Sequence, residues 1–70
     1  MEYADAYKYF KLAAEKGQGM AMFELAKLYE DGLGVTQSKK SAIEWYEKCS
    51  KSLYKARTDA LKALKRLNEN

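Results

Sequence analysis

Apolar residues recur along this chain at helical spacing, in four blocks separated by polar or glycine-containing breaks. At a turn of about 100° per residue, Tyr3, Ala6, Phe10, Ala13 and Ala14 fall on one stripe of a helix spanning residues 2–16. Tyr7 and Tyr9 flank that stripe, and Lys8, Lys11 and Glu15 point away from it. A single apolar stripe describes a helix that buries one face. Gly17-Gln18-Gly19 ends it: Gly17 suits the left-handed position after a helix, and Lys16 suits the negative end of the helix dipole. So short a break leaves room only for a tight antiparallel return.

The second block, residues 20–30, has a wider apolar arc. Ala21, Leu25 and Leu28 lie on one side of it and Met22, Ala26 and Tyr29 on the other, with Glu24, Lys27 and Asp31 as the remaining polar strip. An arc that broad calls for two neighbours. Gly32-Leu33-Gly34-Val35 interrupts the pattern; the glycines permit positive φ, and Val35 is expected to reach the core. Ser38 is placed to cap a third helix over residues 39–50, whose stripe is Ala42, Trp45, Tyr46 and Cys49. Ser52 is placed to cap a fourth, over residues 53–67, with Leu53, Ala56, Ala60, Leu61, Leu64 and Leu67 on its stripe.

The blocks repeat. At an offset of 36 residues Ala6 meets Ala42, Tyr9 meets Trp45, Phe10 meets Tyr46, Ala13 meets Cys49, Leu25 meets Leu61 and Leu28 meets Leu64. Self-similarity at this period is the signature of stacked units, each unable to bury its apolar face alone. The pattern predicts an all-α chain, an α/α solenoid of two antiparallel helix pairs. Residues 1–36 form the first pair with its Gly-x-Gly turn, and residues 37–70 the second pair with a C-terminal capping helix. The capping reading comes from Met22, Ala26 and Tyr29, whose counterparts at this offset are Thr58, Lys62 and Lys65. A polar outer face is what a terminal unit needs.

Composition narrows the chemistry. The chain has 70 residues, 47% hydrophobic and 33% charged, with no proline and four glycines, which suits helices and disfavours a turn-rich β fold. It has no histidine and one cysteine, so Cys49 cannot form an internal disulfide, no metal site is expected, and no cofactor is expected. On the stripe, Cys49 reads as a small buried hydrophobe. No run of about 18 apolar residues marks a membrane span. The sequence leaves the compartment open; a chain that starts naturally at Met1 without a signal-peptide core is expected in the cytoplasm.

The glycine turn lacks the strand, the third glycine and the lysine-serine pair of nucleotide-binding loops. No histidine base is present, and Glu15, Glu24, Glu30 and Asp31 read as solvated carboxylates, so no catalytic constellation is expected. Net charge is +3 and unevenly placed. Residues 1–50 carry seven Lys/Arg against eight Asp/Glu, and residues 51–70 carry six against two.

The residues Ala6, Tyr9-Phe10, Ala13-Ala14, Gly17, Leu25, Leu28-Tyr29, Gly32-Leu33-Gly34-Val35, Ala42 and Trp45-Tyr46 resemble the Sel1-like repeat, a relative of the tetratricopeptide repeat. The resemblance is close over residues 5–50 and looser over 51–67. Departures are Leu12 where lysine is usual, Ala26 where a small residue, often glycine, is usual, Leu53 in place of a turn glycine and Arg57 in place of a small alanine. These leave the register after Cys49 open to a one-residue slip.

The resemblance implies a non-catalytic adaptor that binds a protein or peptide on its helical surface. Outward positions on the first helix of each pair are the candidate contacts: Lys8, Lys11 and Leu12 with Glu44, Glu47 and Lys48. Leu12 stands out as a leucine among charges. The alternative is a basic surface for nucleic acid or another acidic partner, formed by Lys51, Lys55, Lys62, Lys65 and Arg66, but no aromatic platform accompanies it. The recurrent aromatics read as packing residues, and the tyrosine-rich first helix as a place for self-association.

Overall fold

The computed structural model describes residues 2–52 and 57–69. Four helices follow in order: α1 (Tyr3–Glu15), α2 (Gly19–Asp31), α3 (Lys39–Ser50) and α4 (Arg57–Asn68). Each helix packs against the next, with α2 against α3 the most extensive contact. The result is an all-α helical repeat without strands among the described residues.

The turns follow from the residues that stop each helix. After α1, Gly17 has φ +92°. Its N–H reaches the carbonyl of Ala14 at 2.9 Å, and the N–H of Gln18 reaches that of Ala13 at 3.2 Å. This pair of bonds is the Schellman closure, which satisfies carbonyls the helix would otherwise leave bare. After α2 the chain takes a longer path through Gly32 and Gly34, yet the carbonyls of the last turn still find donors. The N–H of Leu33 serves Leu28 at 3.0 Å and the N–H of Ser38 serves Tyr29 at 2.9 Å, while the Gln37 side chain serves Glu30 at 2.8 Å. Ser38 then starts α3, its hydroxyl accepting from the N–H of Ser41 at 3.1 Å.

Two core clusters form among the described residues. The first joins α1 and α2 through Ala13, Ala14, Ala21 and Leu25. The second joins α2, α3 and α4 through Ala26, Ala42, Tyr46, Cys49, Ala60, Ala63 and Leu67. Met22, Tyr29 and Trp45, partly buried, pack against both. Alanines are frequent because they let helix backbones approach closely. Val35 is half-buried. Burial pushes the Cys49 thiol up, and its sulfur lies 3.4 Å from the Gly19 carbonyl, so it acts as a packed, protonated side chain.

Several expectations need correction. Tyr3, read on the buried stripe, is 58% exposed, because among the described residues α1 packs against α2 and against no other helix to a comparable extent. In α4 the register is one residue earlier than the 36-residue offset implies. Leu61 is 55% exposed, while Ala60 and Ala63 are buried; these are the counterparts of Leu25 and Leu28 at an offset of 35. Leu53, Ala56 and Lys55, read as part of the fourth helix, lie outside the described residues, as does the start of the helix that Ser52 was expected to cap. The Ser52 hydroxyl donates back to the Cys49 carbonyl at 2.7 Å, at the end of α3.

Candidate functional site

The candidate contact residues all lie on exposed faces of α1 and α3. Lys8, Lys11 and Leu12 are exposed on α1, Leu12 at 62%. Glu44, Glu47 and Lys48 are exposed on α3. They line two shallow depressions. One, of about 440 Å³, is bounded by Tyr7, Lys8, Lys11, Leu12 and Glu15. The other, of about 510 Å³, lies between Tyr29 and the Ser41, Glu44, Trp45 and Lys48 side of α3.

A tyrosine pair connects them. Tyr7 belongs to the first depression and Tyr29 to the second. Their hydroxyls are 3.0 Å apart, and their rings meet edge to face at 5.7 Å. Burial, then the Tyr7 hydroxyl, pushes the Tyr29 phenol up to about 12, so Tyr29 stays protonated and neutral near pH 7. Charges ring the floor. Lys11 lies over the Tyr7 ring at 5.8 Å, and Lys48 over Trp45 at 4.3 Å, close enough for a cation–π attraction. The surface therefore combines aromatic faces, one exposed leucine and charges of both signs.

Sequence reasoning placed the charged and leucine positions on this surface and missed the tyrosine hydroxyl contact. Tyr7 and Tyr29 sit at stripe edges in the sequence, and only the α1–α2 packing brings them together.

A third depression, of about 450 Å³, opens on the opposite arrangement of helices, between α2 and α4, with Tyr46 beneath it. Here the reading of Glu30 as a solvated carboxylate fails. Glu30 accepts from the Tyr46 hydroxyl at 2.8 Å and from both terminal nitrogens of Arg66, at 2.5 and 3.2 Å. The Arg66 guanidinium, with help from the Tyr46 hydroxyl, holds the Glu30 carboxyl below the ordinary carboxylate range against the opposing effect of burial. Arg66, read as a candidate phosphate contact, is thus engaged with a carboxylate on α2. Phe23, unremarked in the sequence, packs on Tyr46 at 5.7 Å between ring centres.

The structural residues are placed as follows. Leu25 and Ala42 are fully buried, Tyr46 is 1% exposed, and Ala13 and Leu28 are buried. Ala6, Phe10, Tyr29 and Trp45 are partly buried. Gly17, Gly32 and Gly34 all have positive φ.

The repeat grammar itself decides the family: the model of the Sel1 repeat matches residues 3–18 and 19–51. The chain belongs to the Sel1 repeat family. The first match contains α1, and the second contains α2, the glycine turn and α3. Comparison with curated proteins and with solved structures found no match. Sel1 repeats are non-catalytic helical repeats generally used in protein–protein interaction. Among the described residues no group of histidine, cysteine, aspartate and glutamate is arranged to hold a metal ion. No described helix is long and apolar enough to cross a membrane.

Proposed function

We propose that this Sel1 chain is an adaptor module that binds a protein or peptide segment along the surface shared by α1 and α3. The observation that carries this reading is the meeting of two depressions at the Tyr7–Tyr29 pair, with Leu12 62% exposed beside them. A lone exposed leucine is ordinary on any surface. Set between a tyrosine ring and Lys8, Lys11 and Glu15, it becomes an apolar anchor with a charged rim, the anatomy of a binding patch. Mixed charge, with Glu44 and Glu47 beside Lys48 and Lys51, suits a partner segment carrying both signs and disfavours a polyanion. The engagement of Arg66 by Glu30 further weakens the nucleic-acid alternative.

A random peptide library displayed on phage, selected against the wild-type chain, supplies the test. Selected peptides are expected to lose at least about tenfold in affinity, roughly 1.4 kcal/mol, for Leu12→Lys, while the circular dichroism spectrum is unchanged. Equal affinity for both forms would remove Leu12 and its depression from the site.

A further inference from the structure

The two ends of the helix array differ in a way that makes one the complement of the other. α3 shows what a helix of the α1 type looks like when a helix stands in front of it. There α2 covers it. Ala26 of α2 shares a cluster with Ala42 and Tyr46, and Glu30 bonds the Tyr46 hydroxyl. Ala42 and Tyr46 are almost wholly buried. Their counterparts on α1, Ala6 and Phe10, are only partly buried. Tyr9, the counterpart of Trp45, is 60% exposed and lies edge-on to Phe10 at 5.4 Å. Among the described residues no helix stands against this face of α1.

At the other end, α4 is the counterpart of α2, and the one-residue shift in register changes its outer face. At an offset of 35, the α2 residues Phe23, Ala26 and Glu30 correspond to Thr58, Leu61 and Lys65, all exposed. The outer face of α4 therefore carries a leucine at its centre, 55% exposed, where the 36-residue offset places only polar residues.

We propose that a second copy of this chain covers the outer face of α1 with the outer face of its own α4, head to tail. The contact repeats the α2–α3 packing between molecules. In that antiparallel register Leu61 of one copy takes the place of Ala26, against Ala6, Phe10 and Tyr9 of the next. Lys65 takes the place of Glu30, at the acidic start of α1, where Glu2 and Asp5 are exposed. The Glu30 backbone lies near the segment that corresponds to Glu2, since its carbonyl accepts from the Gln37 side chain, next to Ser38. The charges are opposite, as a docked pair requires. Tyr9 and Asp5 do not line the depression bounded by Tyr7, Lys8, Lys11, Leu12 and Glu15. A heterologous contact of this kind adds copies in series, or closes a ring, and does not stop at a symmetric dimer by itself.

Two exposed substitutions test it by complementation on the full chain. Tyr9→Glu disables the α1 face and leaves α4 intact; Leu61→Glu disables the α4 face and leaves α1 intact. In sedimentation equilibrium the wild type is expected to grow in mass with concentration, less so at high salt. Each variant alone is expected to remain a monomer with unchanged helicity. An equimolar mixture is expected to form a dimer that grows no further, because each pair has one intact junction. A wild type that stays monomeric, a mixture that stays monomeric, or a Leu61→Glu chain that still dimerises alone would each overturn the head-to-tail contact; the last would point instead to a symmetric pairing of α1 faces.

Discussion

Gly34 and Gly17 both have positive φ, +74° and +92°, but their surroundings separate two reasons for a glycine. A Cβ on Gly17 would meet nothing within 4 Å, so an alanine there faces only the left-handed backbone penalty, about 1–2 kcal/mol. A Cβ on Gly34 would run into the carbonyl of Tyr3 and lie 2.7 Å from the N–H nitrogen of Ala4. Those atoms belong to the backbone of α1, which cannot swing aside as a side chain can. Gly34→Ala is therefore expected to destabilise more than Gly17→Ala, because the first turn of α1 must shift as well. Urea denaturation of both variants checks this; equal midpoints would show that the turn after α2 does not hold α1. The sequence made the positive φ of this turn legible. It could not show that α1 packs on it, since residues 3 and 34 are joined only by the fold.

At the scale of elements, Glu30 ties three helices together: it sits in α2, accepts from Tyr46 of α3 and pairs with Arg66 of α4. Its folded carboxyl titrates below the ordinary value, chiefly because of Arg66. A group with a lowered folded value stabilises the fold fully above its unfolded pKa, about 4.3 for glutamate. That contribution is lost as pH falls through the folded value. Thermal melts are thus expected to show wild type above Glu30→Gln near pH 7 and the gap closing below about pH 4. A gap independent of pH would mean the carboxylate charge contributes nothing. The triad was hidden in the sequence because Glu30 and Arg66 stand at the 36-residue offset as unlike charges, and wheel geometry cannot tell a solvated pair from a bonded one. The register of α4 was hidden for a related reason. Ala60-Leu61 and Ala63-Leu64 put apolar residues side by side, so two stripes one position apart are almost equally apolar. By contrast, α1 and α2 end at a glycine and α3 starts at the Ser38 cap, and these bounds follow the sequence closely.

For the whole molecule, the question is what makes two small clusters one cooperative unit. A chain of this length is expected to have a stability of only about 4–10 kcal/mol at 0.05–0.15 kcal/mol per residue, and neither cluster contains many large side chains. Met22, Tyr29 and Trp45 are the residues that pack on both, and Trp45 is the largest. The repeat spacing identified Trp45 as a packing residue, yet it also borders the open depression beside Glu44 and Lys48, so core and candidate surface share one side chain. Truncating it removes contacts from both clusters together. Trp45→Ala is expected to cost about 3–5 kcal/mol, the range for losing a large aromatic from a core. Its partial exposure favours the lower end. A loss of that size approaches the stability of the entire chain, so circular dichroism should show a melt shifted far down and, where the clusters come apart, broadened. A cooperative melt at the wild-type temperature would mean that the alanine-rich contacts alone join the units, and would assign Trp45 to the binding surface only.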